Sequence, residues 1–295
     1  MQAPLARHIR HLFLIALAVL ATGCSSLRLS YDYGDTLLYW WLDGYVDLDS
    51  VQKVRVKNDI DQLFQWHRKT QLKDYVQLLK GGQNQLQGTV TEADLLADYA
   101  AVKDRASLLL YKSEPELADL ARSLRPEQLA QMEKKFASNN EDFRKKFLNG
   151  DLEKNRKLHF LKSMEQFELW FGTFSRAQET LIRQACDARP LDDAIWLAEH
   201  LRHQQNIVAL LRRVRQEKLG KEATMALVHN ALKDSFERLE HSEHKAFFDA
   251  YTQGSARLVL TVIQLATPAQ KAHARKRMQG WIDDFNTLAA EARQG

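Results

Sequence analysis

Apolar residues along this chain recur at intervals of three and four, and no stretch sustains the alternation of a half-buried strand. The clearest stripe runs Leu129, Met132, Phe136, Phe143 and Phe147, then resumes at Phe160, Met164, Phe167 and Phe171. It predicts a long helix from Pro126 to Phe171, opened by proline and ended by Gly172. Asn149-Gly150-Asp151 is the one place inside it where a break is expected, since an interior glycine costs about 1 kcal/mol. Asn139 and Asn140 interrupt the stripe, as residues that set register do. The same periodicity predicts helices near Asp35–Asp47, Ser50–Trp66, Gln71–Lys80, Glu92–Lys112 and Glu114–Ser123. Beyond the long helix it predicts Arg176–Ala188, Leu191–Glu217, Lys221–Leu239, Ser242–Leu265 and Pro268–Arg293. Gly81-Gly82 reads as a stop. The expected fold is all-α, an array of about ten helices with one long central element and no β-sheet.

A helix-start pattern occurs four times: an apolar residue, a capping position, two residues, then glutamine. The copies begin at Leu48, Leu124, Phe174 and Ala266 and carry Gln52, Gln128, Gln178 and Gln270. Asp49, Ser175 and Thr267 can each accept from a free first-turn amide while the glutamine reaches back, as in a capping box. Arg125 cannot accept and breaks the pattern. Irregular spacing excludes a solenoid period. Convergent helix starts explain these copies. They also resemble the Leu-Thr-x-x-Gln motif of small helical periplasmic chaperones, over a few residues each.

Composition narrows the class. Only 12 glycines and 5 prolines in 295 residues argue against sandwiches, barrels, propellers and disorder. The first two dozen residues read as a processing segment: Arg7, His8, Arg10 and His11, then the ten-residue apolar run Leu12 to Ala21. That run is too short to span a bilayer. It ends in Leu20-Ala21-Thr22-Gly23-Cys24-Ser25, which resembles the lipobox of bacterial lipoproteins. The resemblance implies a diacylglyceryl thioether on Cys24, cleavage after Gly23 and acylation, for example by palmitate, of the new amino group. Ser25 in place of Asp favours sorting to the periplasmic face of the outer membrane. The expected organisation is a signal peptide over 1–23, a lipidated tether over 24–34 and a helical periplasmic domain over 35–293, with halves 35–172 and 173–293. Cleavage removes two cations and no acid, lowering the formal charge from +4 to +2. Such a balance gives no reason to expect nucleic-acid binding. Cys186 is then the only remaining thiol, expected to be buried.

Candidate chemistry concentrates after the anchor. Tyr31, Tyr33, Tyr39, Trp40, Trp41 and Tyr45 are six of the fourteen Tyr and Trp residues. Between Tyr31 and Gln52 lie five acids and no Lys or Arg. Helical spacing aligns Leu37, Trp41 and Tyr45. The leading expectation is that the aromatics are core while the acids cap helices or pair with basic ones. A site for a cationic or sugar-like group is the second. Trp and Tyr could also sit at the headgroup boundary, though the acids argue against it. Tyr39-Trp40-Trp41-Leu42-Asp43-Gly44-Tyr45-Val46-Asp47-Leu48, followed by Gln52 and then Trp66-His67-Arg68, resembles an uncharacterised all-helical lipoprotein family of Gram-negative bacteria, a domain of unknown function. The resemblance implies no activity or cofactor. Family members often carry a proline after Trp-His-Arg; here Gln71 and Leu72 follow, and a kink is expected near Lys69–Thr70.

The candidate binding set is therefore Tyr39, Trp40, Trp41, Asp43, Tyr45, Asp47, Trp66, His67 and Arg68, with Cys24 as the lipidation site. No cofactor, metal set or nucleic-acid partner is expected. The pairs His200/His203 and His241/His244 lack further ligands and are expected to be solvated. Two basic patches, Arg202 to Lys221 and Lys271 to Arg277, are expected to be solvated faces. The expected role is non-enzymatic, binding an envelope protein or polymer as scaffold or chaperone. The alternative is an enzyme acting on envelope glycan or lipid through Asp43 or Asp47 with His67.

Overall fold

The computed structural model describes residues 26–294. Cys24 and the leader lie outside the described residues. Twelve α-helices and one π-turn account for the described chain, and no strand occurs among the described residues. The helices are α1 (Ser26–Val46), α2 (Ser50–Thr70), α3 (Leu72–Gln85), α4 (Glu92–Lys112), α5 (Glu114–Ser123) and α6 (Pro126–Phe143). They continue with α7 (Leu152–Phe171), α8 (Arg176–Asp187), α9 (Asp193–Gln216), α10 (Lys221–Glu237), α11 (Lys245–Leu265) and α12 (Pro268–Gln294).

The long element is divided. Residues Arg144–Leu148 form a π-turn, and the chain restarts at Asp151, whose carboxylate accepts from Lys154 N at 2.7 Å. The Asn-Gly pair thus breaks the helix because a new N-cap lies directly behind it. Gly172 closes α7 at φ +76°, a conformation that glycine adopts without a side-chain clash. The Gly81-Gly82 stop does not occur: α3 continues to Gln85. Here tertiary contact outweighs propensity, because Gly82 abuts the Met278 side chain and Gln83 donates to Arg275 O of α12. The kink falls at Gln71, between α2 and α3.

The four glutamine copies meet in two pairs. In the first, Gln52 Nε2 donates to Gln128 Oε1 at 3.2 Å and Gln128 Nε2 to Gln52 Oε1 at 2.7 Å. Each also donates to a carbonyl two residues before the partner's cap: Gln52 to Ser123 O, Gln128 to Asp47 O, both at 3.0 Å. The second pair repeats this with Gln178 and Gln270. Their amides meet at 2.8 Å, and they donate to Leu265 O and Thr173 O at 2.8 Å. Every glutamine oxygen also accepts from its own cap's N–H. The arginine that departs from the pattern has a use: Arg125 forms an ion pair with Asp49, the cap of the partner copy.

Each glutamine clasp closes one core. Around Gln52 and Gln128 pack Tyr39, Val46, Leu48, Val56, Ile60, Leu124, Leu129 and Met132 from α1, α2 and α6. Around Gln178 and Gln270 pack Met164, Phe171, Phe174, Ile182, Cys186, Leu258, Val262 and Ala266 from α7, α8 and α11. A third cluster joins α3 to α12 through Leu72, Val76, Ile282, Phe285 and Leu288. The asparagines act across elements too. Asn140 exchanges amide hydrogen bonds with Gln204 of α9, and Asn139 donates to Tyr45 Oη at 2.6 Å.

Candidate functional site

The aromatic segment divides between core and surface. Tyr39 is buried, and Tyr31 and Tyr45 pack against the third and first cores. Tyr33, Leu37, Trp40 and Trp41 are each more than half exposed, against the expectation that the aromatics are core. The reason lies in helical spacing: the core face of α1 is already filled by Tyr31, Leu38, Leu42 and Tyr45, and the two tryptophans turn away from it. Trp41 packs on Tyr45, with ring centres 5.0 Å apart.

The acids have local structural roles. Asp43 Oδ1 accepts from Leu48 N at 2.8 Å, finishing the α1 C-terminus, and its other oxygen pairs with Lys53 at 3.3 Å. Asp47 takes a left-handed φ of 54° at the turn, and its carbonyl belongs to the first clasp. Asp49 is held below the usual carboxylate range by the backbone amide of Gln52, then by Arg125.

Trp66, His67 and Arg68 point three ways. His67 is buried between Tyr31 and Tyr75, and Tyr31 Oη lies 2.8 Å from His67 Nδ1. Burial pulls the imidazole down to about 4 and pushes the Tyr31 phenol upward, so both are neutral near pH 7. A neutral imidazole in contact with a phenol proton accepts it, which places its own proton on Nε2. Arg68 donates to Tyr31 O at 2.7 Å. Asp43 meets α2 at Lys53, and His67 lies fourteen residues further along that helix, about 20 Å away. An acid–base pair of Asp43 or Asp47 with His67 is therefore not assembled, and the enzyme alternative loses its geometry.

Trp66 instead shares a groove with Trp41. Both border a groove of about 410 Å³ between α1, α2 and the α4–α5 elbow. Leu38, Leu42, Ile60, Leu63, Leu117 and Leu120 form its apolar wall, while Asp59, Glu116 and Lys112 stand at its polar edge. Its size is that of a small-molecule site. Lys112 Nζ lies 5.8 Å from the Trp66 ring centre. Burial raises the Asp59 carboxyl, and Glu116 and Asp119 push it the same way against Arg55. A smaller groove of about 250 Å³ lies at the other end of α4, among Leu96, Tyr99, Trp196 and Phe248. Helix α4 has no fully buried residue and contributes to both grooves.

The structure also brings together polar residues that spacing did not reveal. Asp193 is buried with His159 Nε2 at 3.1 Å; burial raises the Asp193 carboxyl, and the imidazole opposes this. Burial would raise Glu199 as well, but Arg202 at 2.6 Å and the Ser242 hydroxyl outweigh it and hold the carboxyl low. His200 and His203, expected to be solvated, are half-buried, and burial lowers both. They face inward because α9 packs against α10 and the π-turn on that side, with Phe143 edge-on to His200. His159 lies 34 residues from Asp193 and Ser242 lies 43 from Glu199, beyond the reach of a local motif. His241 is exposed beside Glu237. The first basic patch is tied to acids: Arg212 to Glu133, Arg213 to Glu217, Lys221 to Asp119. Among the described residues no group of three or more His, Cys, Asp and Glu could hold a metal ion. No described helix is long and apolar enough to cross a membrane.

The model of a family of unknown function, DUF6279, matches residues 44–234, nearly two thirds of the chain. The chain belongs to this family. Comparison with curated proteins and with solved structures finds no match. The DUF6279 span takes in Tyr45, Asp47, Trp66, His67, Arg68 and the first clasp. It includes the α2, α4 and α5 walls of the larger groove, while the α1 wall with Leu38 and Trp41 precedes it.

Proposed function

We propose that this DUF6279 chain is a lipid-anchored protein of the Gram-negative envelope, tethered through Cys24 to the periplasmic face of the outer membrane. Its helical body acts without catalysis, holding the apolar part of an envelope partner in the Trp41–Trp66 groove, as a scaffold or chaperone-like binding protein. The lipobox Leu20 to Ser25 supports the anchor. One observation carries the binding role: two tryptophans from different helices converge on an open apolar groove, whereas the candidate acid–base residues are scattered and engaged in capping, pairing or burial. An apolar wall with a few charges at its edge is how a binding site orients a ligand.

The test is photo-crosslinking in cells from a benzophenone amino acid at Leu63, with the anchor intact. Capture of a defined envelope molecule that Trp66→Ala reduces at least fivefold supports the role. Self-contacts alone, or a capture pattern equal to that from exposed Asp104, overturn it.

A further inference from the structure

We infer that the groove holds one acyl chain of a zwitterionic phospholipid taken from the leaflet on which the protein sits. This deepens the binding role above and rests on it.

The chemistry of the groove edge makes the choice. An acyl chain alone needs only the leucine and isoleucine wall. A zwitterionic head group needs an anionic pair for its ammonium and a cation for its phosphate, and the edge has both kinds. Asp59 and Glu116 stand there together, and Lys112 is close to the Trp66 ring. Neither Glu116 nor Lys112 has an ion-pair partner among the described residues. The cation paired with Asp59 is Arg55, at 3.7 Å, and Arg55 also binds Asp119. Burial raises the Asp59 carboxyl and the Glu116 charge adds to it, so two acids side by side at this edge favour a positive ligand between them. A purely anionic lipid would satisfy Lys112 and leave both acids repelled.

The approach to the groove fits the same source. Helix α1 begins at Ser26, two residues beyond Cys24, and two residues reach at most about 7 Å. An acylated Cys24 therefore holds α1 against the leaflet. The exposed stripe Tyr33, Leu37, Trp40, Trp41 runs along the side of α1 away from the core, with amphipathic aromatics of the kind that rest at a headgroup boundary. At about 100° per residue, Asp32 and Asp43 lie about 100° or more from the middle of that stripe, on the flank away from Trp41. The acids that argue against membrane contact are thus turned aside. Trp41 is the hinge of the geometry, belonging to the stripe and to the groove edge at once. A chain leaving the leaflet beside Trp41 enters between Leu38 and Leu63.

The experiment is native mass spectrometry of the full-length protein from envelope membranes, after exchange into vesicles of equal phosphatidylethanolamine and phosphatidylglycerol and release in mild detergent. Covalent mass reports acylation of Cys24, and a mass lost on collisional activation reports bound lipid. The expected spectrum shows one phosphatidylethanolamine per chain, with phosphatidylglycerol at least fivefold rarer. Leu63→Glu should lower occupancy about tenfold, and Lys112→Glu, a surface change that leaves the core intact, should do so at least threefold. No releasable lipid on an acylated chain overturns the inference while leaving the anchor standing. A peptide in place of lipid, or equal occupancy in both variants, overturns it too. An unmodified Cys24 overturns the anchor, and bound phospholipid on that chain still supports the groove's ligand.

Discussion

His67 shows how burial settles the role of a residue that sequence leaves open. Tyr31 and Tyr75 enclose its ring, and its Nδ1 accepts from a phenol, a bond that protonation would break. The unfolded chain takes up a proton near the ordinary value of 6.5, while the folded imidazole refuses it until about 4. Stability contributed by the neutral ring is therefore complete above pH 6.5 and is lost as pH falls toward 4, by about 3 kcal/mol at most. His200 and His203 shift in the same direction and add to the slope. Urea unfolding at pH 7.5 and 5 should show a clear loss for the native chain and a smaller one for His67→Phe. An equal loss in both would place the pH dependence elsewhere. The motif Trp66-His67-Arg68 was visible as a motif, but a string cannot say that its three side chains go to a groove, a core and a backbone carbonyl.

At the level of elements, the local signals were legible and the pairings were not. Glu92–Lys112 and Glu114–Ser123 match the observed helices end for end, because Thr91 and Pro115 mark their starts. Gly172 ends α7 as expected, and the capping boxes of Asp49, Ser175 and Thr267 form. What spacing could not supply is that each glutamine would meet another 76 or 92 residues away. Gly81-Gly82 misled for the same reason, since the support from α12 arrives from nearly two hundred residues downstream. The clasps predict a coupling pattern. Gln52→Ala leaves the buried Gln128 amide and Ser123 carbonyl short of partners and should cost about 1–3 kcal/mol. Once the amide pair is broken the second loss is smaller, so Gln52→Ala with Gln128→Ala should fall short of the sum by about 1 kcal/mol. Gln178→Ala with Gln270→Ala should behave alike. Gln52→Ala with Gln178→Ala, one from each clasp, should add within about 0.5 kcal/mol. Denaturant titrations of these variants separate two clasps from four independent caps; additivity in every pair would show that the amide contacts carry nothing.

For the whole molecule, the question is whether two clasped cores make two folding units. Chain order suggests halves on either side of Gly172, and each clasp does close its own core. Helix α12, however, belongs to the second clasp at its start through Gln270, then runs along α3 and also packs on α2, α7 and α1. Its Ile282, Phe285 and Leu288 complete a cluster with Leu72 and Val76, and Tyr31 and Tyr75 pack on it from the first half. Helix α10 likewise packs on α5 and α4. Apolar burial of this kind, worth about 1.5–3 kcal/mol for each fully buried large side chain, is several times the net value of any surface ion pair that the halves share. Neither half can unfold without exposing the α3–α12 cluster, so the described body should unfold as one unit. Tryptophan fluorescence, which samples Trp41 and Trp66 in one half and Trp196 and Trp281 in the other, should therefore give the same denaturant midpoint as far-ultraviolet circular dichroism. Leu288→Ala, at a site 1% exposed, should shift both probes together by about 2–5 kcal/mol. Separate midpoints, or a shift in one probe alone, would show that the halves are independent units sharing a surface.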